Sequence, residues 1–214
     1  VFDVDGTLID TLQPMRQALN EILTRSGRRT WTEQAVRDQL SLGLDGLLAL
    51  ALRADGHAPS DAAEHADRAA LLTRYSELAP MHAVGYPGAE ALLRNARREG
   101  CRLAVCSNAD ALVLQRLFNA LGWLDLFEVT VCAGNALALK PSGLPLQQVL
   151  AMLNASPDEA WLIGDSALDA ACAEAVGCGF VWFSGGYGSA RPPTAMAQID
   201  ALPDLPALLQ PSTP

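Results

Sequence analysis

The sequence predicts an α/β chain: a parallel sheet covered on both faces, with a block of helices inserted after its first strand. Three observations carry this. From Tyr86 onward short apolar runs alternate with amphipathic ones, a further apolar run stands apart at the start, and residues 11–80 between them show helical periodicity alone.

The opening run, VFDVDGTLID, reads as a buried strand that breaks into a Gly-Thr turn. Its aspartates, Asp3 and Asp5, are one residue apart, and side chains alternate along a strand, so both are expected on one side at its end. Four helical patterns follow. The first runs through Met15, Leu19, Ile22 and Leu23 and stops at Gly27, and the second spans 33–40. The third carries Leu44, Leu47, Leu48 and Leu52 before Gly56; the fourth starts behind Ser60 and Asp61 and runs through Leu71, Leu72 and Tyr75 to Pro80. Together they read as a small bundle. Pro87 then opens an amphipathic helix that ends at Gly100. Strands are expected at 102–106, 127–131, 161–164 and 180–183, separated by helices at 110–121, 144–154 and 166–176. The tail LPALLQ reads as a short helix before a frayed end. The expected division is a sheet domain of residues 1–12 and 83–214 with a helical insert at 13–82.

In such sheets ligands bind at the carboxyl ends of the strands. The residues there are Asp3 and Asp5 after the first strand, Ser107 and Asn108 after 102–106, and Asp165, Ser166 and Asp169 after 161–164, with Lys140 in the loop before a helix. Clustered carboxylates are costly to desolvate and form the oxygen-rich shell that Mg²⁺ prefers. A divalent cation would neutralise the Asp3–Asp5 pair, whose blander reading is an acidic strand end. Lys140 is the only lysine; the rest of the 15 Lys+Arg residues are arginine. A chain that uses arginine for its other cations and lysine once points to a site needing a compact ammonium.

Composition excludes several classes. A net charge of −9 over 214 residues argues against nucleic acid or an anionic membrane as partner. Arg25, Arg28 and Arg29 read as a solvated helix end. No apolar run approaches a membrane span, and no signal peptide precedes the first motif. The five cysteines include no C-x-x-C pair and mostly sit in apolar runs, which fits small hydrophobes in a reducing cytoplasm. His57, His65 and His82 lack ligand spacing and read as surface residues. Val1 is not Met and few residues precede Asp3, so a somewhat longer natural N-terminus is expected.

The stretches FDVDGTLIDT, LAVCSN, LKP and LIGDSALDA resemble, in order, the four motifs of the haloacid dehalogenase superfamily. Within it the likeness is to subfamily IA phosphoglycolate phosphatases, including YPGAEALLRNARREG and the late FVWFSGGYG. The resemblance implies a Rossmann-like core with a helical type 1 cap, Mg²⁺ as cofactor, and phosphatase action on a small phosphorylated metabolite through an aspartyl-phosphate. It implies roles residue by residue: Asp3 as nucleophile and Asp5 as acid and base, with Thr7, Ser107, Asn108 and Lys140 holding the phosphoryl group. Asp3, the Asp5 carbonyl and Asp165 would ligate the metal, with Asp169 orienting a metal-bound water or Lys140. The expected protein is a monomer or homodimer in the cytoplasm.

Departures from the family pattern bear on substrate. The lysine is followed by Pro141, Ser142 and Gly143 where a second proline is usual. In the insert, Ser41-Leu42-Gly43 replaces a Gly-Asn-Gly stretch and Leu50 an arginine, so these positions either sort substrates or form bundle core. A dehalogenase would lack Asp5, and a phosphonate hydrolase would carry a small residue there and a lysine in the insert. A phosphomutase of the same cap class, a sugar-phosphate phosphatase and a catalytically silent binding protein remain alternatives.

Overall fold

The computed structural model describes residues 1–54, 56 and 60–209. His57 and the last residue of LPALLQ lie outside them. Residues 1–3 form the middle of the sheet. The Phe2 N–H donates to the Ala104 carbonyl, its own carbonyl accepts from Cys106, and Asp3 N–H donates to Ile163. These bonds make the segment parallel to a neighbour on each side.

The chain then turns sharply. The N–H groups of Thr7, Leu8 and Ile9 all converge on the Val4 carbonyl, so the strand ends before Asp5. Asp5 therefore sits in a loop, not on the strand face where simple alternation places it. Strand β1 (Ile9–Asp10) leads into α1 (Leu12–Arg25), α2 (Glu33–Arg37), a 3-10 turn at Leu40–Leu42, α3 (Gly43–Arg53) and α4 (Asp61–His82). The chain returns through β2 (Val84–Gly85), which pairs antiparallel with β1, Ile9 opposite Gly85. A two-stranded ribbon thus carries both passages between sheet and helices.

Helix α4 passes Pro80, where the sequence predicts a stop. Proline at that position leaves the Ser76 carbonyl without its helical donor, and Arg116 supplies one at 3.2 Å. The second predicted helix is shorter than expected, α2 being followed by the 3-10 turn. Thr32 caps α2 by accepting from the Ala35 N–H at 3.2 Å.

After α5 (Ala89–Arg98) come β3 (Ala104–Asp110), α6 (Ala111–Leu121), β4 (Val129–Ala133), α7 (Leu144–Leu153), β5 (Trp161–Gly164), α8 (Ala167–Val176), β6 (Gly179–Phe183), β7 (Ala197–Ile199) and α9 (Leu205–Leu209). Strands β3 and β4 pair in parallel, as do β5, β6 and β7, and residues 1–3 join the two groups. The parallel α/β fold is as the sequence predicts. Strand β7 was not foreseen, because a three-residue edge strand offers no period to read.

Alternation along the strands sorts the core. Ala104, Cys106, Leu162, Phe180 and Trp182 face the side packed by Leu146, Val149, Leu150 and Cys172. Val105, Ile163, Val181 and Phe183 face the other, where α5 and α6 continue into the buried residues of α1, α3 and α4. Cysteines 106, 132, 172 and 178 are buried and free; Cys101 is exposed and free. His65 and His82 are exposed. Among the described residues no helix is long and apolar enough to cross a membrane.

Candidate active site

The ends of residues 1–3, β3 and β5 bring Asp3, Ser107, Asn108, Asp165, Asp169 and Lys140 together. All are buried. The Lys140 ammonium lies 2.8 Å from Asp3 Oδ1 and donates to Asp169 Oδ1 at 2.5 Å. The other Asp169 oxygen accepts from the Ser166 N–H at 3.1 Å and its hydroxyl at 2.5 Å. That capping box opens α8 and fixes Asp169 as it does so. Gly164, at the end of β5, gives Asp169 its room, since a Cβ there would overlap the carboxylate.

Asp165 is held from two sides. The Thr7 hydroxyl donates to Oδ1 at 3.1 Å, and the Tyr187 N–H to Oδ2 at 2.7 Å. Trp182 Nε1 donates to the Asp165 carbonyl at 3.0 Å. The loop carrying Gly186 and Tyr187 wraps this close because Gly6 and Gly186 lack side chains; a Cβ on either would collide with Asp165. Gly6 also has φ of 83°, a conformation that disfavours other residues. Thr7, expected to hold a phosphoryl group, instead has its hydroxyl on Asp165 and its N–H on Val4.

Asp5 is half-buried and stands apart from the other carboxylates. Its Oδ1 accepts from the Thr11 hydroxyl at 2.6 Å. Ser107 Oγ accepts from the Ala109 N–H at 3.2 Å, which leaves its own proton available to a ligand. The Asn108 side chain turns toward Lys140, its Oδ1 accepting from the lysine N–H at 2.8 Å.

The charges do not balance. Three buried carboxylates (Asp3, Asp165, Asp169) share one ammonium. Burial pushes the Asp3 carboxyl well above its ordinary value, with Asp169 and Asp165 adding to the effect and Lys140 opposing it. Burial and Asp169 push Asp165 up to about 7. Burial works against the Lys140 ammonium, but Asp169 and Asp3 outweigh it and hold the lysine well above its usual range. Burial also raises Asp5, against the pull of the Thr11 hydrogen bond.

Surplus negative charge in a desolvated pocket fits a hard divalent cation. Asp3, Asp165 and Asp169 offer one oxygen each within 4.8 Å of one another, the only such group among the described residues. Both oxygens of Asp169 already accept from Lys140 and Ser166, and both of Asp165 from Thr7 and Tyr187. The site residues thus meet the chemistry of a metal centre.

Three contributors were not read from the sequence. The Tyr187 hydroxyl donates to Asp10 Oδ1 and accepts from the Thr11 N–H, both at 2.8 Å, tying the Asp165 loop to the start of α1. Arg37 of α2 donates to the Gly186 carbonyl at 3.2 Å and lies 5.2 Å from the Tyr187 ring centre. Thr11 anchors Asp5. Thr11 was visible only as part of FDVDGTLIDT, and the other two carry no local signal.

Comparison with known proteins matches this arrangement to a family. Residues 1–177 match the haloacid dehalogenase-like hydrolases. A phosphoglycolate phosphatase of Cereibacter sphaeroides is 33% identical over 188 residues, covering 87% of this chain and 85% of that protein. One from Rhodospirillum rubrum is 34% identical, covering 97% and 88%. In fold, the chain superposes with a TM-score of 0.89 on a predicted phosphoglycolate phosphatase from Haemophilus somnus, at 21% identity and covering 98% and 96% of the two chains. With family match and kinship in agreement, the chain belongs to the haloacid dehalogenase-like hydrolases, as a phosphoric monoester hydrolase of the phosphoglycolate phosphatase-like kind.

Proposed function

We propose that this hydrolase removes the phosphoryl group from a small phosphorylated metabolite, using Asp3 as nucleophile and Mg²⁺ as cofactor. One observation carries the reading: the single lysine of the chain is buried between Asp3 and Asp169, with Asp165 beside them, at the mouth of a parallel sheet.

An Asp3 carboxylate oxygen attacks phosphorus, and the bond to the alcohol oxygen breaks. Asp5 gives its proton to the departing alcohol. It is suited to this because burial raises its affinity for a proton while Thr11 fixes its direction. Asp5 then takes a proton from the water that attacks the aspartyl-phosphate, freeing Asp3 and inorganic phosphate. Lys140 and Ser107 face the phosphoryl oxygens, where a preorganised cation and hydroxyl offset developing charge. Asp3, Asp165 and the Asp5 carbonyl would hold Mg²⁺, which when bound neutralises phosphoryl oxygens. The helices of residues 13–82 act as a cap over this site.

Phosphoglycolate is the first substrate to test, since the relatives named above carry that name. A sugar phosphate or a phosphomutase reaction is the alternative. Release of inorganic phosphate from phosphoglycolate, sugar phosphates, pyrophosphate and an aryl phosphate, each with Mg²⁺, decides among them. No turnover of any monoester, by folded protein with metal, overturns the proposal.

A further inference from the structure

Asn108 follows Ser107 inside β3, past Cys106 where the pairing with β4 shifts register, and the family resemblance implies for it a hand in phosphate binding. Its side chain is committed elsewhere. Oδ1 accepts from the Lys140 N–H at 2.8 Å and Nδ2 donates to the Lys140 carbonyl at 3.0 Å, so the amide bridges the peptide groups on both sides of the lysine. Nδ2 also donates to the Ser41 carbonyl at 3.3 Å, in the turn that precedes α3. Both amide protons are then in use, and Asn108 is only 8% exposed. A lost partner here leaves a buried polar atom unsatisfied.

Gly43 belongs to the same contact. It has φ of 71° and ψ of −179°, a combination close to exclusive to glycine. A Cβ at this position would lie 2.7 Å from the Asn108 carbonyl oxygen. The turn comes this near to Asn108 because position 43 has no side chain.

We propose that Asn108 is a positioning residue that couples the turn at residues 41–43 to Lys140. It sets the lysine backbone, and through it where the ammonium stands between Asp3 and Asp169, and it is held in line while the turn is docked on it. The inference rests on the phosphatase reading above, and adds that the helical block completes the placement of the lysine.

The test uses the full chain with Asn108→Ala, Gly43→Ala and the double variant, each checked for folding by thermal unfolding. On an aryl phosphate with Mg²⁺, Asn108→Ala is expected to lower kcat about 100-fold, the effect of a small misplacement at a reacting centre, with little change in KM. Gly43→Ala lowers kcat by undocking the turn, and in the Asn108→Ala background it adds almost nothing. A second readout is specific to the lysine: acetylation of Lys140 by an amine reagent in metal-free protein, followed by mass spectrometry. Labelling is expected to rise about tenfold in both single variants as Lys140 loses protection, in keeping with local opening. Independent, multiplying kcat effects overturn the coupling. Lost activity with unchanged labelling overturns the positioning role and makes Asn108 a direct phosphate contact. If Gly43→Ala fails to fold, Asn108→Asp replaces it, keeping an acceptor for the Lys140 N–H but offering no proton to either carbonyl; unchanged labelling there overturns the proposal. If the parent itself hydrolyses no phosphate monoester, the phosphatase reading fails while labelling still tests the bridge.

Discussion

Replacing Lys140 by methionine keeps most of the side-chain length and removes the charge. Lys140 is 5% exposed, Asp3 7% and Asp169 0%, so water cannot substitute for the lost ammonium. Removing one partner of a buried ion pair costs about 3–5 kcal/mol. Asp3 relieves part of that, because burial already favours its neutral form and it takes up a proton when the lysine goes. The loss should therefore fall at the lower end, about 3 kcal/mol. In a chain of this size each kcal/mol moves Tm by about 2–4 °C, giving a fall of about 6–12 °C. The measurement is thermal unfolding of metal-free protein near neutral pH, followed by circular dichroism. Turnover should fall by at least about 100-fold, as when one preorganised group opposing transition-state charge is removed. Lys140→Arg keeps the charge, but its larger planar fork does not fit a buried pocket built around a compact ammonium, so activity should stay low and stability should fall as well. A Lys140→Met protein whose Tm stays within about 2 °C of the parent would refute the reasoning.

Asp3→Asn should leave the fold intact and reduce phosphate release by several orders of magnitude, and near-normal turnover by the folded variant excludes Asp3 as nucleophile. Asp165→Ala should raise sharply the Mg²⁺ concentration needed for half-maximal rate, and Ca²⁺ should inhibit the parent because its looser shell suits in-line transfer poorly; full activity in excess chelator rules out a metal. Gly6→Ala should destabilise the chain and raise the Mg²⁺ concentration needed for half-maximal rate together, since its Cβ collides with Asp165 and Tyr187; unfolding and Mg²⁺ titrations read the two effects, and an unchanged Mg²⁺ titration with normal stability refutes the crowding. Leu42→Asn should shift the ratio of kcat/KM on phosphoglycolate to that on an aryl phosphate, whereas Leu50→Arg should not, because Leu50 is 44% exposed and lies about 10 Å along α3 from the docked turn.

The sheet was legible because its strands are short, apolar and punctuated. The run WLIG gives β5 at Trp161–Gly164, and the end of that strand places Asp165 and Asp169 without further help. Lys140 was legible for a different reason: its singularity marks it before any partner is known. Directions were less legible than positions. Alternation puts Asp3 and Asp5 on one side, but three N–H groups gathered on the Val4 carbonyl bend the chain first, and Asp5 ends on Thr11. Thr7 and Asn108, expected to hold a phosphoryl group, have side chains that bond to Asp165 and to Lys140. Such choices depend on which acceptor lies within reach after folding, and no local period records that. The continuation of α4 past Pro80 has the same origin, since Arg116 on another helix takes up the freed carbonyl.

Two of the contacts between the helices and the sheet domain reach the site. Arg37 meets the loop that holds Asp165, and the turn at Ser41 and Gly43 meets the residue that holds Lys140. Opposite them, Asp10 and Thr11 at the start of α1 are bonded to Tyr187, whose own N–H is on Asp165. A displacement of the helices therefore bears on Asp165 through Arg37 and Tyr187, and on Lys140 through Asn108. Asp3 is fixed differently, by backbone bonds in the middle of the sheet, and does not depend on those contacts. Asp3, the proposed nucleophile, is thus set by backbone bonds in the middle of the sheet, while the charges around it are set by loops that the helices touch. That division suits a site that must hold its attacking atom still and yet admit and release a charged molecule.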